Sequence, residues 1–433
     1  MVQDEGPVGL DGVTVAFDDE RAVADAGIVL TATLGRRLGI EALVDESVDL
    51  GERPGAANVG AKVMTLVSAM ALGADCIDDC DLLRAGRTGQ VLGHQVAAPS
   101  TLGTFLRAFT FGHVRQLDRV LGDTLTRAWA AGAGPGEGRL VVDVDSFVGE
   151  VHGRLKQGAA FGYTRQRGYH PLLATRADTG EVLHIRLRKG SANTSRGMLR
   201  FCDELIARVE RAGATGPKLL RADSGFWSGK TFDRLDRAGW QFSIGVRLQP
   251  HVRAAIEQID EAAWTTLEDY PPTSIAQIAE TKLGDRRLVI RRVRTLDRQG
   301  ELLPSWELFP FATNRTEPLA LVEAEHRQHA VVELCIRDLK DQALAHFPSG
   351  KFTANAAWTI IAGLAHNLLR WTGVLGLPGQ TIRAARTLRR RLLALPGRLT
   401  RTARRWTLHL PARWPWQDAF VEGLTRIRAL PAA

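Results

Sequence analysis

Hydrophobic positions recur every three to four residues through ERAVADAGIVLTATLGRRLGIEAL, ANVGAKVMTLVSAMALGADCIDDCDLL and STLGTFLRAFTFGHVRQLDRVLGDTLTRAW. That period keeps one helix face apolar, so residues 1–130 are expected to form a helical domain. Pro99 and Ser100 supply a start signal for the last of these helices. The stretch AAGAGPGEG (130–138) interrupts the pattern and reads as a linker. Beyond it the period falls to two. RLVVDVDSFVGEV (139–151) alternates, HPLLATRADTGEVLHIRLRKG (170–190) reads as a hairpin turning at Asp178-Thr179-Gly180, and KLLRADSGF and WQFSIGVRL are further strands. Helical segments, SRGMLRFCDELIARVERAG and a short one near 229–238, separate the last three.

Two antiparallel strands, a third, a helix, a fourth strand, a helix and a fifth strand is the order of a ribonuclease H-like α/β core. A β-rich stretch containing ETKLGDRRLVIRRVRTLDRQGELLPSWELFPFATN then breaks that order. The expected organisation is α/β. A helical N-terminal domain (1–130) precedes the first part of the core (139–248), a β-rich insertion (249–305), the last strand and helices of the core (306–376) and a basic helical C-terminal tail (377–433).

Composition narrows the class. The 433 residues are 45% hydrophobic and 24% charged, ordinary for a soluble globular protein. The four cysteines make no disulfide framework, and Cys76 and Cys80, one helical turn apart, read as core residues without a neighbouring histidine to complete a metal site. MVQDEGPVGLDG is too acidic and polar for a signal peptide, and AAWTIIAGLAHNLL (356–369) is too short to span a bilayer, so a cytoplasmic, nucleoid-associated protein without membrane contact is expected. The net charge of +8 is distributed unevenly. No Asp or Glu occurs from Gln342 to Gln417, and RAARTLRRRLLALPGRLTRTARRW (383–406) carries nine arginines. A one-sign segment of that length favours a nucleic-acid partner.

Acids on otherwise apolar strands are the candidate chemistry, because burying an unpaired carboxylate costs several kcal/mol. Asp145 stands near the end of VVDVDSF, with Asp143 on the same strand face as its competitor, and Asp223 ends KLLRAD. Carboxyl ends of strands are where such sheets place ligands. In HAVVELCIRDLKDQALAH (329–346), Glu333, Arg337 and Lys340 recur on one helix face, while Val332, Leu334, Cys335, Ile336 and Leu339 cover much of the rest. Three carboxylates suit hard divalent ions with oxygen ligands. His152, His170 and His184 lack ligand spacing with any cysteine.

DVDSFVGEVHGRLKQGAAFGYTRQRGYHPLLA, LLRADSGF, FATN and EHRQHAVVELCIRDLK together resemble the DDE transposases of bacterial insertion sequences, nearest the insertion sequence 1380 family with its Tyr-x2-Arg-x3-Glu-x6-Lys signature. The resemblance implies catalytic and metal-binding roles for Asp145, Asp223 and Glu333, with two Mg²⁺ ions for which Mn²⁺ can substitute. It implies cleavage at transposon ends and strand transfer into target DNA by a homodimer on double-stranded DNA. The N-terminal helices would read the terminal inverted repeats. Lys340 takes the signature lysine, whereas the Tyr and Arg positions hold His326 and His329, which as donors to phosphate are DNA-binding candidates with Lys340; Leu334 stands where Asn is common, and Ser146-Phe147 replaces Ser-Thr. Arg337, Lys156, Arg165 and Arg167 are further candidate phosphate contacts. Two alternatives use the same features: a ribonuclease H-like nuclease without strand transfer, and a non-catalytic DNA-binding regulator.

Overall fold

Why the β-segment can sit deep in the molecule is clear from its two faces, both of which are covered. The computed structural model describes residues 10–162, 165–296, 305–379 and 384–433. The first nine residues, Tyr163 and Thr164 of the first motif, 297–304 of the expected insertion and 380–383 of the Arg-rich region lie outside it.

A two-residue strand β1 (Ala22–Val23) precedes helices α1 (Val29–Arg37), α2 (Ile40–Ser47), α3 (Val59–Leu72), α4 (Thr88–Leu92), α5 (Pro99–Ala108) and α6 (Phe111–Ala128). Thr110 caps α6 by accepting from the His113 amide, while the His113 ring accepts from the Thr110 amide. The Gly/Ala/Pro stretch after α6 begins as a π-helical turn over Trp129–Ala133, with Trp129 and Ala133 buried. Strand β2 (Leu140–Ser146) follows, then three short strands β3 (Gly149–Glu150), β4 (Ala160–Phe161) and β5 (Arg167–Tyr169) that form a separate small sheet. The hairpin β6 (Leu172–Arg176) and β7 (Val182–Arg186) turns where the sequence places it.

Next come α7 (Met198–Arg211), β8 (Lys218–Ala222), α8 (Gly229–Arg237), β9 (Gln241–Gly245), α9 (Pro250–Glu257) and β10 (Thr265–Thr266). Strands β11 (Ser274–Leu283), β12 (Arg286–Thr295) and β13 (Glu307–Thr313) lead to helices α10 (Leu319–Arg327), α11 (Val331–Lys340) and α12 (Phe352–Trp371). The chain ends with α13 (Ala385–Leu388), β14 (Gly397–Thr402), β15 (Arg405–His409) and α14 (Gln417–Ala429). The Arg-rich C-terminal region is therefore mixed rather than helical. The β-branched and aromatic residues Thr400, Thr402, Trp406 and Thr407 in GRLTRTARRWTLH favour strands over a helix there.

One nine-stranded mixed sheet runs in the order β10-β11-β12-β13-β9-β8-β2-β6-β7. Strands β8 and β9 lie parallel in sequence beside β2; on its other side β6 is antiparallel to β2, and β7, antiparallel to β6, runs parallel to β2 again. The β-rich stretch after β9 does not form a separate sheet: β13 pairs with β9 and carries β12 and β11 outward from it. Helix α12 is buried along almost its whole length and packs on α3, α5, α6 and β7. Asn367 on α12 accepts from the Val182 amide at 2.6 Å and donates to the Val182 carbonyl at 2.8 Å, which satisfies backbone groups on the outer edge of β7. Among the described residues no helix is long and apolar enough to cross a membrane.

Helices from the two ends of the chain share one core around this sheet. Glu181, at the start of β7 and fully buried, accepts from the Trp129 indole at 3.0 Å, from the Trp371 indole, and from Arg176 at 3.3 Å. One carboxylate thus ties the end of α6, the hairpin and the end of α12. Burial pushes its pKa up, against the pull of Arg176 and the two indoles. Replacing Glu181 by Ala strands the two indole donors and leaves Arg176 with Asp178 and the Ala133 carbonyl. The expected loss is about 3 kcal/mol, read as a lowered urea midpoint at unchanged m-value.

Candidate active site

Register brings the two strand acids together. Strand β2 pairs with parallel β8 from Leu140 opposite Lys218 to Val144 opposite Ala222. The next step in that register is Asp145 opposite Asp223, so both carboxylates leave adjacent strands at their carboxyl ends. Asp223 accepts from the Gly225 amide at 2.9 Å and opens the turn Ser224–Phe226. That turn lies against the end of β9, where a Cβ on Gly245 would stand 2.7 Å from the Ser224 nitrogen. Only glycine allows β9 to approach the acid so closely.

Helix α11 supplies the third acid. Val332, Cys335 and Leu339 are buried, and the helix packs on β2, while Glu333, Arg337 and Lys340 are exposed along the other face. The apolar cover is narrower than its sequence implies, because Leu334 is itself exposed. Glu333 and Asp223 line one open cavity of about 730 Å³ together with Arg247, Arg291, His326 and His329.

Asp145 feels both partners. Its carboxyl is pushed up to about 6, first by burial, with the charges of Asp223 and Glu333 adding to the shift. The Ser146 amide, 2.6 Å from Oδ1, and His329 oppose it. The donor atoms of the three acids are not all within 4.8 Å of one another. Three carboxylates that repel one another across a wider opening, with oxygen donors only, are a donor set suited to hard divalent cations lying between them.

Asp143 differs although it shares the strand face. It is fully buried, and Arg221 of β8 grips both its oxygens, Nε to Oδ1 at 2.7 Å and a terminal nitrogen to Oδ2 at 2.8 Å. His329 Nδ1 lies 3.0 Å from the same Oδ1. With both oxygens engaged, Asp143 is a neutralised acid that holds His329 beside Asp145. Arg221 escaped notice in the sequence, although an arginine on the apolar strand KLLRA was the signal for a buried acidic partner.

His326 is partly buried, stacks on Phe311 at 4.0 Å between ring centroids, and places Nδ1 2.8 Å from the Ser243 hydroxyl. Burial, reinforced by His329 and nearby arginines, pushes its pKa down to about 3. At neutral pH it is an uncharged ring in the cavity wall, so a charged phosphate contact is not what it offers. Its helix is anchored by Glu323, buried on α10 and 2.7 Å from Arg291 of β12.

The remaining basic candidates divide. Lys340 is exposed and lies 5.4 Å from the Phe147 ring centroid; Arg337 and Arg165 are exposed, Arg165 with φ of 58°. Lys156 instead donates to the Phe347 carbonyl, and burial pushes its pKa down. Arg167 donates to the carbonyls of Gly153 and Arg154, the latter at 2.6 Å. These two side chains staple the loop after β2 rather than reach outward.

Two other clusters bear on the sequence reading. His184 lies 3.0 Å from Glu204 and 3.4 Å from Asp118, so it does have acidic neighbours. Both acids are already held by arginines, Arg208 on Asp118 at 2.9 Å and Arg115 on Glu204 at 2.6 Å, and the histidine pKa is pushed down to about 4, by burial first. Near Cys76, the fold brings His346 to 3.2 Å from Asp75, a neighbour that sequence spacing does not show.

The raised carboxyl of Asp145 gives a signed prediction. Between its ordinary value of 3.8 and about 6 the native chain holds a proton that the unfolded chain has lost. Stability therefore falls as pH rises through that window. In metal-free buffer, Asp145→Asn is expected to melt above the parent at about pH 7.5 and level with it at about pH 4. Equal melting at both values would remove the electrostatic strain from Asp145.

No curated protein sequence matches this chain. Among solved structures, it is similar to a piggyBac transposase in a synaptic complex with hairpin DNA, at 12% identity and a TM-score of 0.44, covering 86% of this chain and 80% of that one. The family described as "Transposase DDE domain group 1" matches residues 6–432. With that match across the whole described length, the chain belongs to the DDE transposases, enzymes that use divalent metal ions to cut DNA at transposon ends and join it to a target.

Proposed function

We propose that Asp145, Asp223 and Glu333 form the catalytic centre and bind two Mg²⁺ ions, replaceable by Mn²⁺. The observation that carries this reading is the β2–β8 register, which one step beyond Val144 and Ala222 sets Asp145 beside Asp223 at the carboxyl ends of the two strands, with the Asp145 carboxyl pushed up to about 6 by burial and then by the charges of Asp223 and Glu333. Asp143 is set aside as a ligand because Arg221 occupies both its oxygens. The inner strand order β7-β6-β2-β8-β9, in which β6 alone runs against the central β2 while β7, β8 and β9 run parallel to it, supports a ribonuclease H-like core. The quoted motifs support placement in the insertion sequence 1380 family and a bacterial, nucleoid-associated setting. Synapsis of two ends calls for a homodimer, and the N-terminal helices are the candidate readers of the terminal repeats.

Divalent ions, when bound, would lower the pKa of an attacking water and offset charge on the departing oxygen. The chain's own contribution is positioning. Asp145 and Asp223 hold their carboxylates on rigid strand ends, and α11 presents Glu333 from across the opening. Arg337 and Lys340, further along the same helix face, stand where DNA phosphates would pass beside the acids. His329, fixed by Asp143, aims its ring at the same place, and its charge favours ionised Asp145. Arg165 is the remaining exposed phosphate candidate in the loop after β2.

The test is nicking of a labelled duplex bearing the element's own terminal repeat, with Mg²⁺, by the parent protein and by Glu333→Gln. Cleavage at the repeat boundary should fall by at least about a thousandfold in the variant while duplex binding is retained. Equal cleavage in both proteins would remove Glu333 from the centre. Nicking without joining of the freed end to a second duplex would favour the nuclease alternative.

A further inference from the structure

Among the described residues, no strand pairs with the hairpin β14–β15 beyond its base. At its base, Leu399 and Leu408 pack on Val23, Ala26 and Val91, and β1 pairs with the first two residues of β14. Beyond that base, residues 401–407 are all exposed. A two-stranded ribbon without a sheet or helix behind it is only marginally stable by itself. Its outer end is therefore a projecting element that the core does not require.

Its chemistry is one-signed. Arg398, Arg401, Arg404 and Arg405 lie within the ribbon, which contains no acid; at its base Asp19 lies 3.5 Å from Arg398. Alternation along the strands puts Arg401 and Trp406, a cross-strand pair, on one face, and the Thr402–Arg405 pair on the other. Arg87 donates to the Leu399 carbonyl at 3.1 Å and lies 5.6 Å from the Trp406 ring centroid; Arg401 lies 5.4 Å away. The indole, 47% exposed, is thus held between two guanidinium groups rather than against the core.

From these observations we infer that the ribbon Gly397–His409 is a duplex-binding arm that lies in the DNA major groove, with Arg401, Arg404 and Arg405 on phosphates of both strands and Trp406 against the groove wall. This rests on the transposase reading and adds the surface that grips the duplex. Paired strands lie about 4.8 Å apart, and the major groove, about 12 Å wide, admits a two-stranded ribbon. Arginines on both ribbon faces can reach both phosphate rims at once.

The experiment measures full-length protein binding to a labelled linear duplex by fluorescence anisotropy across a range of salt concentrations. In the combined variant Arg401→Ala, Arg404→Ala, Arg405→Ala, the slope of log affinity against log salt should become shallower by about 2 to 3, and affinity near 0.15 M salt should fall about tenfold or more. The corresponding triple Lys variant should retain the slope, and Trp406→Ala should weaken binding without changing it. Unchanged melting temperatures would verify that the fold is intact, as the exposure of these residues implies. An unaltered slope and affinity in the triple Ala variant would overturn the arm, as would a loss seen only with single-stranded DNA. Nicking that is abolished by Glu333→Gln, with ribbon variants binding normally, would refute the arm and leave the catalytic centre standing; ribbon-dependent binding without metal-dependent nicking would do the reverse.

Discussion

The buried pair of Asp143 and Arg221 is the constraint around which the candidate catalytic edge is organised. Two neighbouring parallel strands each direct a charged side chain into the same interior, and neither charge is tolerable alone. Bidentate contact between them neutralises both and locks the register of β2 on β8. A one-residue slip would strand both charges and also separate Asp145 from Asp223, since the same register places that pair. The ion pair and the strand-end acids are thus one geometric decision.

Two aspartates two residues apart consequently have opposite electrostatic fates. Asp143 meets a guanidinium and an imidazole and becomes part of the frame. Asp145 meets an amide and His329, but burial first, and then the charges of Asp223 and Glu333, push its carboxyl up to about 6. A carboxyl raised in this way beside two other acids is what marks this strand end as a candidate functional site. His329 links the two, since its ring rests on the compensated acid while its field bears on the other.

Much of this was legible in the chain. Alternation in RLVVDVDSF, the hairpin turn at Asp178-Thr179-Gly180 and the helix over Met198–Arg211 follow from local periodicity and turn chemistry. The roles of the basic residues were not legible, because reach depends on what lies nearby. Lys156 and Arg167 find backbone carbonyls and fold inward, His326 is enclosed by Phe311 and Ser243, and Lys340 and Arg337 remain outside. The Arg-rich segment, expected to be helical, contains β14 and β15, where Thr400, Thr402, Trp406 and Thr407 favour strands.

Sequence alone determined which side chains were anomalous: acids on apolar strands, a charged stripe on a half-apolar helix, and a long stretch without a negative charge. Local physics suffices for that, because the cost of burying charge and the period of each element are properties of neighbouring residues. Only the tertiary structure decided which anomalies cancel and which remain. Arg221 lies 78 positions from Asp143 and His329 lies 186 away, and nothing local specifies such a meeting. It is set by which strands pair and in what register, and that depends on the burial of the whole sheet.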